Sequence, residues 1–211
     1  MIDTIALPAG AAARAPAPPP GRARRATRFA VERYGPGQEG RRELEAFIAA
    51  SFRDAYGAEV SHFCDVLLGC RDGHGRWVAA LGYSLAADGP VFLEQYLDTP
   101  IESALGGRAG APVARADIVE VGNLASGHPG AARALIVSTT RHLHAQGLRW
   151  VAFTATVSLL NSFTRLRLQP QVLAPADPAR LADAGRRWGS YYDTQPKVMF
   201  GDIRYGYAQL T

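Results

Sequence analysis

Glu120 is the residue whose setting most invites chemistry. It stands inside IVEVGNLAS, an apolar run from Ile118 to Ser126, where a carboxylate is costly to bury unless it is paired or hydrogen-bonded. A carboxylate kept there can work as a general base or as an anchor for a cationic amine. The competing explanation is a structural ion pair with an arginine. Strand alternation puts Ile118, Glu120 and Gly122 on one face and Val119, Val121 and Asn123 on the other. Glu120 therefore has beside it a residue without a side chain, which leaves room for a ligand. Directly afterwards, Ser126-Gly127-His128-Pro129-Gly130-Ala131 forms a glycine-rich corner that opens a helical pattern. Backbone N–H groups and the dipole at such a start attract phosphate, and Arg133 adds a charged donor. Plain turn chemistry explains the same glycines.

Other polar residues carry less. FLEQYLD holds a second acidic candidate, Glu94, four residues before Asp98. On a helix the two share one face and repel each other; an exposed face accounts for them, while Phe92 and Tyr96 offer a pocket wall. His128, in the glycine corner, is the best-placed histidine. His142 and His144 lie two apart on a helical pattern and point about 200° from one another, so they cannot share a metal, and no metal site is expected. Ser126 lacks the G-x-S-x-G elbow of serine hydrolases. Neither a Walker motif nor a dinucleotide fingerprint is present.

These residues need elements to hold them. Thr27 to Tyr34 alternates like a first strand, and Arg41 to Tyr56 places Leu44, Phe47, Ile48, Phe52 and Ala55 on one helical face that closes at Gly57. Val66–Cys70 and Trp77–Leu85, joined through Asp72-Gly73-His74-Gly75, read as a hairpin. Phe92 to Ala104 predicts a short helix, a break at Pro100 and a second turn, followed by a loop over Gly106–Pro112. A strand over Ile118–Ala125, a helix over Ala131–Gln146 and a strand over Trp150–Val157 come next. Helices are predicted over Ser158–Leu168 and Asp177–Arg187, and Tyr191–Tyr207 has strand composition. The order is that of an α+β domain with one strand–helix–strand crossover in a mixed sheet, with helices on both faces.

Composition bounds the rest. At 211 residues and 47% hydrophobic, the chain can bury one substantial core. Residues 1–25, rich in Pro, Ala and Arg, read as a disordered tail and 26–211 as a single domain. The net charge is +4, but Lys197 is the only lysine and the arginines beyond the tail are scattered. That pattern argues against a nucleic-acid partner. Cys64 and Cys70 are six apart; on one strand they would lie roughly 20 Å apart, too far to bridge, so free buried thiols are expected. No apolar run reaches the ~20 residues that span a bilayer. No secretory signal is visible either, so the expected location is the cytoplasm. Composition leaves the oligomeric state open.

FLEQYLDTPIE, IVEVGNLAS, WVAFTAT and WGSYYDTQPKVMFGDI, in that order, resemble the thermostable hemolysin family over about residues 47–203. More distantly they are similar to the GNAT acyltransferases and to the acyl-homoserine-lactone synthases within them. The resemblance implies a GNAT-like three-layer fold and an acyltransferase that moves an acyl group, fatty in character, from acyl-CoA or acyl-carrier protein to a small amine. No tightly bound cofactor is implied. Glu120 would then be base or amine anchor, with Glu94 a second carboxylate and Tyr191, or Tyr192, the acid in place of the tyrosine that Phe163 replaces. Backbone N–H groups of Val121, Gly122, Asn123 and Leu124 would polarise the thioester carbonyl. Gly127, His128, Gly130, Ala131 and Arg133 would hold the donor's phosphates, and Asn161 its arm. The corner lacks the usual leading Gln or Arg, and Glu120 is not followed by the Ser-Arg pair of the lactone synthases, so lactone synthesis itself is not expected. A membrane-active protein, or a non-catalytic partner in a biosynthetic complex, remains the alternative.

Overall fold

The computed structural model describes residues 29–210. The expected N-terminal tail and the start of the first strand lie outside them. In chain order the elements are β1 (Ala30–Tyr34), α1 (Arg41–Tyr56), β2 (Val66–Arg71), β3 (Trp77–Leu85), α2 (Ile101–Ala109), β4 (Ile118–Ser126), α3 (Pro129–Ala145), β5 (Trp150–Ala155), α4 (Val157–Arg165), β6 (Gln171–Pro175), β7 (Lys197–Asp202) and α5 (Ile203–Leu210). The strands form one sheet in the order β1-β2-β3-β4-β5-β7-β6. Every pairing is antiparallel except β4 with β5, which α3 joins as the crossover. This is the mixed three-layer α+β architecture that the element order implied.

Each layer follows from an apolar stripe. Leu44 and Ile48 of α1 are fully buried against Leu67, Ala80 and Ala125 of the sheet, each contributing about 1.5–3 kcal/mol. Leu135 and Leu143 of α3 pack on the opposite face with Leu81, Tyr83 and Val119. Leu159, Leu160 and Phe163 of α4 cover Phe153 and Met199 on that same face. Leu105 of α2 joins Ile118, Val198 and Phe200 on the α1 face. Cys64 and Cys70 are free and buried.

Four segments depart from the sequence reading, each for a local reason. The loop expected over Gly106–Pro112 is helical to Ala109 and stops only at Gly110, which has φ 68. A Cβ on Gly106 would sit 3.2 Å from the Ala111 carbonyl oxygen, so the helix end closes tightly on a residue without one. The helix expected over Asp177–Arg187 is two short 3-10 turns, Pro178–Arg180 and Arg186–Trp188. Between them Ala184 and Gly185 take φ 51 and 76, and the Asp183 carboxylate accepts from the N–H groups of Gly185 and Arg187. β6 was not anticipated because it is a short edge strand bounded by Pro170 and Pro175, a placement that tolerates proline. Finally, the apolar C-terminus turns from strand to helix at Asp202, whose Oδ1 accepts from Arg204 N and Tyr205 N.

Candidate active site

The parallel ladder between β4 and β5 runs from Ile118↔Trp150 to Val121↔Phe153 and stops there, although both strands continue. β4 is turned away by a bulge. Its register with β3 jumps from Gly82↔Gly122 to Ala80↔Ala125, so Asn123 and Leu124 pair with neither neighbouring strand. Asn123 sits at φ 53, a region Asn tolerates better than most residues. Its amide locks the bulge: Oδ1 accepts from Cys64 N at 2.9 Å and Nδ2 donates to the His62 carbonyl at 3.1 Å. Strict alternation therefore fails after Gly122, and Asn123 shares the face of Glu120 instead of opposing it. The parting strands leave a cleft of about 470 Å³ that residues of both sheet faces line.

Glu120 borders this cleft and is only 6% exposed. Among the described residues it has no arginine partner; the ion pair weighed above is not what holds it. Its Oε2 accepts from Phe92 N at 2.7 Å and its Oε1 from Leu93 N at 3.2 Å, at the start of a 3-10 turn over Phe92–Tyr96. Burial pushes the carboxyl up to about 7, and these two N–H groups offset only part of the effect. A carboxylate oxygen has two acceptor sites, so both oxygens keep capacity for a ligand. The room expected over Gly122 is partly taken: a Cβ there would lie 3.2 Å from Cys64 Sγ. Burial, reinforced by the charge of Glu120, pushes the Cys64 thiol up to about 12, and burial raises Cys70 to about 11. Neither is a nucleophile at neutral pH.

The second carboxylate has a different task. Glu94 accepts from Val91 N and Ile101 N, both at 3.0 Å, and meets Arg115 in a two-pronged pair at 2.7 and 2.9 Å. The Arg115 contacts hold its carboxyl at about 2, helped by the two N–H groups. Glu94 does not line the cleft; a charge so occupied ties a loop down and is a poor base. Asp98, expected to crowd it, instead pairs with Arg180 at 2.7 Å. Tyr191 does line the cleft, but burial raises its phenol, which disfavours proton donation as a charged product. Tyr192 bonds Tyr96 hydroxyl to hydroxyl at 2.6 Å and is also raised by burial.

The glycine corner is closed on itself. His128 is the N-cap of α3: its Nδ1 accepts from Gly130 N at 3.2 Å and its carbonyl from Ala131 N and Ala132 N. Ser126 Oγ donates to that same carbonyl oxygen at 2.9 Å. The N–H groups of His128, Gly130 and Ala131 are thus satisfied within the corner and that of Gly127 by the Val78 carbonyl, and Gly127, His128, Gly130, Ala131 and Arg133 do not line the cleft. Ala131 faces the core and is fully buried. Asn161 is exposed on α4 and also lies off the lining, which Ser158, Leu159, Ser162 and Phe163 supply. Of the predicted contacts, Glu120, Tyr191 and the run Val121–Leu124 meet at the cleft.

On the α3 face the cleft is an apolar channel bordered by Ile136, Leu143, Leu159, Phe163 and Ile203. Thr139 also borders it, and its shielded hydroxyl has no partner among the described residues. Thr139→Val should therefore raise stability by about 1 kcal/mol, read as a higher urea midpoint. On the α1 face the sequence reading missed two groups. His62, whose ring stacks on Phe92 at 4.9 Å, lines the cleft and is shifted down by desolvation. Its segment has no periodicity, so nothing in the sequence signalled it. The second is the rest of an aromatic wall, of which only Phe92 and Tyr96 were anticipated. Trp188 and Tyr191 reach it because their segment is stapled to the end of α1: Ser190 N donates to the Tyr56 carbonyl at 2.8 Å and Glu59 N to that of Arg187 at 2.6 Å. Gly189, at φ 51, permits this; a Cβ there would fall onto the Tyr56 carbonyl oxygen.

The thermostable hemolysin family model matches residues 34–207, from β1 to within α5. The chain belongs to the thermostable hemolysin family. No curated protein matches this hemolysin-family sequence. Among solved structures it is similar to apo TofI, with TM-score 0.58 and 14% identity over 86% of this chain and 95% of that one. FeeM, an N-acyl amino acid synthase from uncultured soil microbes, gives 0.56 and 12% over 86% and 96%. The acyl-homoserine-lactone synthase LasI gives 0.55 and 16% over 84% and 91%. This family member therefore shares the fold of these three structures. No helix among its described residues is long and apolar enough to cross a membrane.

Proposed function

We propose that this protein is an acyltransferase that moves a long acyl group from a coenzyme A or acyl-carrier-protein thioester to an amine. The observation that carries this reading is the parting of β4 and β5 beyond Val121↔Phe153, with a cleft through the sheet and a buried carboxylate on one side of it. The names of the similar folds, a lactone synthase and an N-acyl amino acid synthase, agree with it. The donor's arm enters between the two strands, and its acyl chain lies in the channel of Ile136, Leu143, Leu159 and Phe163. Glu120, poised near neutrality, anchors the ammonium and takes a proton from it. The amine nitrogen then attacks the thioester carbonyl carbon. Backbone N–H groups at the bulge, in the stretch Val121–Leu124, receive the developing oxyanion. Collapse breaks the C–S bond, and the second proton of the attacking nitrogen passes to the departing sulfur, leaving amide and thiol. A thiolate leaves readily at neutral pH, so the raised tyrosines need not act as acids; Tyr191 serves as wall.

Purified protein mixed with acyl-CoA or acyl-carrier protein and a panel of amines should release free thiol, measured with a chromogenic disulfide, only when donor and amine are both present. Absence of thiol with every donor, together with lysis of liposomes by the pure protein, would overturn the reading in favour of direct membrane action.

A further inference from the structure

The part of the cleft on the α1 face is lined largely by rings, and the one histidine among the described residues there, His62, is shifted toward the neutral form by desolvation. Phe52, Tyr56, Phe92, Tyr96, Trp188 and Tyr191 border it. They form one connected network, with ring centroids between 5.2 and 6.2 Å apart. Glu120 borders the same cleft, its carboxylate bonded to the Phe92 N–H of this wall. No arginine or lysine is found among the described residues that line the cleft. Three arginines of the neighbouring segments are engaged elsewhere, while Arg53 and Arg186 are exposed. Arg115 is held by Glu94, Glu102 and two carbonyls, Arg180 by Asp98 and the Gln95 and Leu97 carbonyls, and Arg187 by Asp183. Asp202, the other carboxylate on the lining, is paired with Arg149.

This distribution of charge selects among amines. A ligand carboxylate placed here would be desolvated beside Glu120 with no counter-charge, which is strongly unfavourable. An ammonium meets the opposite situation: a buried carboxylate to pair with and π faces that attract cations. An apolar or aromatic body next to the ammonium packs edge-to-face against the same rings. We infer that the acceptor is a primary arylalkyl- or alkylamine bearing no carboxylate, bound as its ammonium between Glu120 and the aromatic wall. Amino acids are excluded by the same arrangement. The fate of this amine rests on the acyltransferase reading; its recognition does not.

Pairs that differ only by a carboxylate test the inference: tryptamine against tryptophan, and phenethylamine against phenylalanine. Each is titrated into the full chain by calorimetry without donor, and then supplied as acceptor in the thiol-release assay. The amines should bind at least about tenfold more tightly than their amino acids. Glu120→Gln and Trp188→Leu should each weaken amine binding by about tenfold, with melting curves showing that both variants remain folded. Equal or tighter binding of the amino acids, or no binding of either class, would overturn the inference. Amine binding without thiol release from any donor would uphold it and remove the acyltransferase reading. Thiol release with amino acids and none with amines would do the reverse.

Discussion

Glu120→Gln should lower turnover by about 10²- to 10⁴-fold, the usual contribution of a positioned general base, while leaving donor binding within a few-fold of wild type. Gln keeps the shape and one acceptor for the N–H groups of Phe92 and Leu93, so the 3-10 turn they begin has a partner still. It cannot accept a proton. In the wild type kcat/KM should rise with pH through about 7, because the ionised carboxylate is the active form and burial has moved it there. In the variant that limb should vanish. A residual limb at the same pH would assign the titration to another group, and a limb displaced below 6.5 would point to His62, which desolvation shifts down on the same cleft. Stability gives an independent check. A carboxyl raised in the folded state favours folding only while neutral, so its penalty grows as pH climbs from its ordinary 4.5 through about 7. The difference in stability between variant and wild type should move toward the variant by about 3 kcal/mol between about pH 4 and pH 9, measured by urea unfolding at each pH. A flat difference would mean that Glu120 is solvated and unsuited to the role.

That Glu120 would stand out as a buried carboxylate was legible, because a carboxylate in an apolar strand is anomalous on its face. Glu94 gives the same signal in the sequence and does something else. Its partner Arg115 lies 21 residues away and its capped amides belong to Val91 and Ile101, contacts that no local pattern encodes. The α3 crossover and the β2–β3 hairpin were readable from their periodicity and Asp-Gly turn, since those depend on neighbours in the chain. The bulge at Asn123 was not: one left-handed residue inverts the facing of a side chain, and only the long-range clasp to His62 and Cys64 reveals why it is tolerated. The internal bonding of the glycine corner was hidden for a related reason. Gly127 and Gly130 look open to an anion, yet His128 supplies the acceptor from within. The aromatic wall is drawn from α1, the Phe92–Tyr96 turn and the Trp188–Tyr191 segment, and it is assembled only when Ser190 and Gly189 dock onto Tyr56.

Arg115→Met should cost about 3–4 kcal/mol and lower the melting temperature by roughly 6–15 °C for a domain of this size. Five donated hydrogen bonds converge from this guanidinium: to the carbonyls of Ala86 and Gly89, twice to Glu94, and to Glu102, four at 2.7 Å and one at 2.9 Å. Methionine replaces the stem and none of the donors, leaving Glu94, only 17% exposed, without its counter-charge. The pH dependence separates this effect from any change at Glu120. A carboxyl depressed to about 2 stabilises the fold above its ordinary 4.5, and that contribution is lost as pH falls through about 2. Wild type should therefore lose stability steeply on the acid side while Arg115→Met loses less, since only the Val91 and Ile101 N–H groups remain to hold Glu94 ionised. Arg115→Lys should recover a minor share, because one ammonium cannot reproduce a planar fork that reaches two carboxylates and two carbonyls. Because Glu94 fixes Val91 and Ile101 on either side of the Phe92 and Leu93 amides that hold Glu120, turnover should fall in Arg115→Met at temperatures well below its melting point. A variant destabilised as expected but with unaltered kcat would show that the Phe92–Tyr96 turn positions Glu120 without help from the Glu94–Arg115 pair.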